Sequence, residues 1–121
     1  MRFKARLVVK GYAQEEGIDY NEVFSPVMKH SSIRILLALV AQYGLELDQL
    51  DVKTTFLHGD LDEEIYMTQP LGFQAAGKEK LVCKLKKSLY GLKQSPRQWY
   101  RRFDGFMIGH SYTRSQFDPC V

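Results

Sequence analysis

The stretch that most restricts how this chain can fold runs from Leu45 to Leu61, because a carboxylate interrupts an apolar, strand-like run just where small polar residues begin. In a two-residue period Asp51 falls on the side of Leu45 and Leu47, where an apolar residue is expected. An ionised carboxylate buried there without a partner is strongly penalised. Two readings fit. Either the strand has ended and Asp51 caps the following turn, or the strand delivers an acid at its tip. Such an acid is the hard oxygen ligand that Mg²⁺ takes alongside further carboxylates and substrate phosphates.

The rest of the pattern predicts an α+β or mixed α/β unit. Phe3 to Tyr12 reads as a strand in which Ala5, Leu7 and Val9 alternate with Lys4, Arg6 and Lys10, and Gly11 interrupts it. Gln14 to Asn21 is polar and contains Gly17, so it reads as a connector, followed by Phe24-Ser25-Pro26-Val27, where proline restricts the preceding residue. Ser31-Ser32 and the run Ile33 to Tyr43 predict a serine-capped helix stopped by Gly44. Its apolar residues lie on both sides, so the expectation is a helix nearly surrounded by protein. Glu63 to Gln69 and Leu81 to Leu85 read as strands, with a turn at Pro70 to Phe73 and a surface loop from Gln74 to Lys80. Ser95, Pro96 and Gln98 have the order of a cap, a first helical position and a capping box. The helix they open places Trp99, Phe103, Phe106 and Met107 on one face, which reads as core, and ends at Gly109.

With 121 residues and 45% apolar content the chain fits one small domain, and no repeat or boundary divides it. No window approaches a membrane span of about 20 apolar residues. Met1 to Arg6 lacks the apolar core of a secretion signal, so the expectation is a protein that is not secreted. Cys83 and Cys120 have no metal-type spacing and read as free thiols in a reducing compartment.

The net charge of +3 hides a segregation of sign. Seven acids stand against Lys53 alone between Glu46 and Glu64, and nine bases stand against Glu79 alone between Lys78 and Arg102. This asymmetry fits two solvated faces, and equally a polyanion on the basic side with cations on the acidic one.

Several segments in order carry a specific resemblance: Lys4 to Tyr12 (KARLVVKGY), Phe24 to Val27 (FSPV), Leu50 to Gly59 (LDVKTTFLHG), Tyr66 to Phe73 (YMTQPLGF), Ser88 to Trp99 (SLYGLKQSPRQW) and Phe117 to Val121 (FDPCV). Together they resemble the reverse transcriptase domain of Ty1/copia-type retrotransposon polyproteins across essentially the whole chain. The resemblance implies the fingers and part of the palm of a right-hand polymerase, with an incomplete palm sheet. It also implies two-metal nucleotidyl transfer with Mg²⁺, deoxynucleotides and an RNA or DNA template-primer, and cytoplasmic residence in virus-like particles.

Residue by residue, Asp51 matches the family's first metal-binding aspartate, and Val52 matches a residue that ligates through its backbone carbonyl. Phe56 matches the aromatic that packs under the sugar of the incoming nucleotide and excludes a 2′-hydroxyl; its plain alternative is a core phenylalanine. Thr54 and Thr55 would let backbone N–H groups approach the triphosphate. Lys4, Arg6 and Lys10 lie in the segment resembling the basic fingers strand that holds nucleotide phosphates. Gly91, Lys93, Ser95 and Pro96, with the neighbouring Arg97, match the loop and helix start beside nucleotide and template.

The pattern departs from the family at one point: its Tyr-Val-Asp-Asp turn is absent, and no Asp-Asp pair occurs anywhere. The expectation is therefore a domain truncated before that turn and inactive by itself. The alternatives are a stand-alone nucleic-acid-binding module using residues 78–102 and a non-functional retrotransposon relic.

Overall fold

Gly44 ends the first helix in the way its sequence predicts. It takes the left-handed conformation at φ 61°, and its N–H and that of Leu45 return to the Val40 carbonyl. This helix, α1, is His30–Tyr43 in a computed structural model that describes Met1 and residues 3–121. Its start departs from expectation. Lys29 occupies the cap position without a side-chain cap bond, and Ser31 and Ser32 lie inside the first turn.

α1 is also not surrounded. None of its residues is buried, and it packs on no other helix or strand among the described residues. Ile33, Ile35, Leu36, Leu37 and Leu39 are all exposed. The whole chain follows suit, with an accessible surface of 10308 Å², where a compact monomer of 14.0 kDa exposes roughly 6,700 Å².

Strands β1 (Tyr66–Thr68) and β2 (Val82–Lys84) pair antiparallel, with Tyr66 opposite Lys84, Met67 opposite Cys83 and Thr68 opposite Val82. They lie within the two segments that alternation marks as strands. Met67 and Cys83 point to the half-buried face. The long connection between them is organised by Gln69, whose amide donates to the carbonyls of Lys78 and Leu81 at 2.7 and 2.8 Å while its oxygen accepts from the Ala75 N–H.

The two other expected strands do not form. Phe3 to Tyr12 makes only a single parallel bridge, Val8 with Tyr90, and ends in a 3-10 turn at Gly11–Ala13. Leu45 to Asp51 has no ladder, and Leu45, Leu47 and Leu50 are exposed. Alternation marks a segment able to be a strand, but a strand exists only where a partner satisfies its backbone. With no covered face at residues 45–51, the expected conflict between burial and the Asp51 charge does not arise.

Helix α2, Ser95–Gly109, ends where expected but is capped differently. Gln94 holds the cap position, Ser95 opens the helix and Pro96 follows. The Ser95 hydroxyl donates to the Leu89 carbonyl at 2.6 Å and lies 2.6 Å from the Ser88 hydroxyl, while Gln98 reaches Asp62, so no capping box closes. Trp99 and Phe103 stack with centroids 5.7 Å apart, yet Phe103 and Phe106 remain exposed, so only part of the expected aromatic core is covered.

The centre of the molecule is consequently polar. Ile65 and Leu92 are its buried apolar side chains among the described residues, beside buried Ser88, Gln94, Ser95, Gln98 and Asp118. The buried side-chain polar atoms described all have hydrogen-bond partners, which is what keeps such a centre from being destabilising. Gln94 illustrates it: its amide donates to the Asp19 carbonyl and accepts from Gln14, tying the loop 14–20 to the start of α2.

Candidate functional site

The turn after Asp51 shapes the site. Thr54 takes a left-handed conformation at φ 54°, costly for a threonine. Side-chain bonds hold it: Thr54 Oγ1 donates to the Lys53 carbonyl and Thr55 Oγ1 to the Val52 carbonyl, both at 2.7 Å. The chain then winds into a 3-10 turn, Thr55–His58, that packs on α2. Gly59 secures this contact, because a Cβ there would lie 2.8 Å from that of Gln98.

Opposite this turn lies the N-terminal segment, brought in by two glycines. A Cβ on Gly11 would collide with the Gly91 carbonyl, and one on Gly91, at φ 94°, would collide with the Val9 carbonyl. The Val9 N–H donates to the Tyr90 carbonyl at 2.7 Å. Between the two walls is a cavity of about 770 Å³ lined by Lys4, Arg6, Asp51, Val52, Lys53, Thr54, Thr55 and Tyr90, with Ala5, Leu7, Leu57 and Leu89.

The structure thus gathers six of the candidate residues at one cavity: Lys4, Arg6, Asp51, Val52, Thr54 and Thr55. Asp51 is exposed at its wall. Phe56 stands one layer behind, half-buried, its ring edge-on to Tyr90. Gly91 holds the approach of the two walls. Lys10 faces a different cavity, shared with Gln14, Met67 and Gln69.

Lys93, Ser95, Pro96 and Arg97 do not line the cavity. The Lys93 ammonium donates to the Gln14 carbonyl at 3.1 Å and the Tyr20 hydroxyl at 3.2 Å. Ser95 is buried, the Pro96 carbonyl accepts from Ser25, and Arg97 bonds the Phe24 carbonyl and pairs with Glu22 at 2.5 Å. Sequence reasoning passed over Lys53 and Tyr90. The signals were there: a lone base two positions from Asp51, and an aromatic preceding a glycine.

Three cations, Lys4, Arg6 and Lys53, share the cavity with one carboxylate, an arrangement that attracts anions such as phosphates. For a metal, Asp51 and the Val52 carbonyl offer two hard oxygen donors, and the latter already accepts from Thr55. That set suits a single Mg²⁺ completed by water and substrate phosphates. Among the described residues no group of three or more His, Cys, Asp or Glu is placed to hold a metal.

The basic run 78–102 is not a bare cationic face. Lys84 pairs with Glu64, Lys87 with Asp60, Arg97 with Glu22 and Arg101 with Asp62. The hydrogen bond from Lys87 holds the Asp60 carboxyl below the usual carboxylate range, and those from Gln98 and then Arg101 do the same for Asp62. Three of the nine bases in the basic run pair with the acidic run, and a fourth, Arg97, pairs with Glu22 outside that run.

A family model described as reverse transcriptase (RNA-dependent DNA polymerase) matches residues 1–120. The chain is 64% identical over its whole length to the retrovirus-related Pol polyprotein from transposon TNT 1-94 of Nicotiana tabacum, of which it covers 9%. It is 47% identical over 99% of its length to the Pol polyprotein from transposon RE1 of Arabidopsis thaliana, covering 8% of that protein. It is 35% identical over 87% of its length to the transposon Ty1-BL Gag-Pol polyprotein of Saccharomyces cerevisiae, covering 6%. The chain therefore spans under a tenth of the curated relatives it matches. No solved structure matches it significantly. With the family model running through almost every residue and whole-length identity to transposon polyproteins, the chain belongs to the reverse transcriptase family of copia-type retrotransposon Pol polyproteins.

Proposed function

We propose that this chain supplies the nucleotide-facing wall of an RNA-directed DNA polymerase, as the fingers and part of the palm of a right-hand fold within one reverse transcriptase domain. The observation that carries the reading is the single cavity at which Asp51, Val52, Thr54 and Thr55 meet Lys4 and Arg6 from the far end of the sequence. Lys4 and Arg6 take the triphosphate, Thr54 and Thr55 let the backbone approach it, and Phe56 stands beneath the sugar against a 2′-hydroxyl. Gly91 keeps the phosphate-binding wall close, Lys10 serves with Lys4 and Arg6 as part of the basic segment that holds nucleotide phosphates, and Lys93, Ser95, Pro96 and Arg97 form the loop and helix start in the vicinity of nucleotide, template and primer. Family members use divalent metal ions; Asp51 and Val52 would hold one Mg²⁺, whose chemistry is to neutralise charge on the phosphates. One carboxylate does not serve two-metal transfer, so the 121-residue polypeptide is inactive in primer extension. In the parent element this work belongs in the cytoplasm, within a virus-like particle that carries the RNA template.

The test is equilibrium binding of a deoxynucleoside triphosphate with Mg²⁺. The wild-type chain binds, a K4A/R6A double variant binds about tenfold or more weakly as two ionic contacts are lost, and Asp51→Asn removes the enhancement by Mg²⁺. Absence of binding, or equal binding by all three, overturns the reading. Primer extension on an RNA template by the isolated chain would refute its inactivity.

A further inference from the structure

We propose that Asp118 is a latch for α1, a carboxylate from the other end of the sequence that completes the cap of a helix held by little else. Asp118 is 1% exposed, and both its oxygens accept hydrogen bonds. One accepts the Lys29 N–H at 2.9 Å and the Ser32 hydroxyl at 2.6 Å; the other accepts the Cys120 N–H at 3.0 Å. The Lys29 ammonium donates to the neighbouring Phe117 carbonyl at 2.7 Å.

Lys29 is the cap residue of α1 and Ser32 its third helical residue. In a capping box the third residue reaches back to the cap N–H with its own carboxylate or amide. Serine is too short for that, and Asp118 does it instead while also bonding the serine. The first turn of α1 contains no acid, so Asp118 also supplies the negative charge that a helix N-terminus favours. A 14-residue helix is marginal in water without tertiary support, and α1 packs on no other element among the described residues. The order of α1 therefore depends on whether the segment 117–120 is docked. With the latch closed, the exposed aliphatic face of α1 stands as a fixed surface; with it open, the helix frays.

The experiment is amide hydrogen exchange on the whole 121-residue chain, reading α1 against α2 as an internal reference. Asp118→Ala is expected to speed exchange across α1 about tenfold, an effect of the size expected for a lost helix cap, and to leave α2 unchanged. Ser32→Ala, a milder change, gives a smaller acceleration confined to α1 and decides the matter if Asp118→Ala does not fold. Unchanged α1 exchange overturns the latch. Equal acceleration of α1 and α2 also overturns it, because the carboxylate would then support the molecule as a whole.

Discussion

Phe56 meets Tyr90 edge-on, with ring centroids 5.2 Å apart and planes at 65°, across a sequence separation that joins the turn after Asp51 to the loop before α2. The other side of the same relationship is cationic, since the Arg6 guanidinium stands 5.9 Å from the Tyr90 ring centre. Tyr90 is therefore the wall that the aromatic and phosphate-facing parts of the cavity share.

Removing this pair is expected to loosen the cavity. Phe56→Ala should destabilise the chain by about 2 kcal/mol, less than a fully buried phenylalanine because Phe56 is half-buried. A double-mutant cycle with Tyr90→Leu and Phe56→Leu should return a coupling of about 1 kcal/mol, the usual worth of an aromatic pair. Chemical denaturation of the four proteins measures it, and strictly additive effects would mean that the rings merely adjoin.

Gly91 is expected to tolerate no side chain. Alanine there combines a strained φ of 94° with a collision against the Val9 carbonyl, a cost of about 1–3 kcal/mol for the backbone alone. In Gly91→Ala the segment 3–10 should detach from Tyr90, and limited trypsin digestion at Lys4, Arg6 and Lys10 should quicken several-fold while α2 stays protected.

Lys53 is expected to matter for nucleotide binding although its spacing gave it no role. Lys53→Ala should weaken triphosphate binding several-fold and flatten its salt dependence, because one of three cations at the cavity is removed. Binding titrations at two salt concentrations measure both, and a change in affinity without a change in salt slope would count against a phosphate contact.

Acid should open the α1 latch. Hydrogen bonds from Ser32, then Lys29, then Cys120 hold the Asp118 carboxyl below its ordinary value. The titratable groups about it are Lys29 at the start of α1, Cys120 in its own segment and Tyr100 on α2. Because the folded state binds this proton less readily than the unfolded state, the stabilisation is complete above about pH 3.9, the ordinary aspartate value. It is lost as pH falls through the lowered folded value. Exchange across α1 should quicken in that acid range in the wild type, and Asp118→Asn should show no such step.

What the sequence by itself determined is local. The extents of α1 and α2, the stop at Gly44 and the segments that hold β1 and β2 were legible because helical period, a left-handed glycine and alternation act within a few residues. The family was legible too, since its signatures are contiguous. Only the tertiary structure decided that residues 3–12 and 45–51 lack ladders, that Ser95 serves a buried hydroxyl pair rather than a cap, and that Asp51 stands exposed. A strand needs a partner, a hydroxyl takes whichever acceptor packing brings near, and a carboxylate's burial depends on what covers it. Lys4 and Asp51 reach one cavity for the same reason: Gly11 and Gly91 have no side chains to keep their backbones apart, and that approach spans some eighty residues of chain.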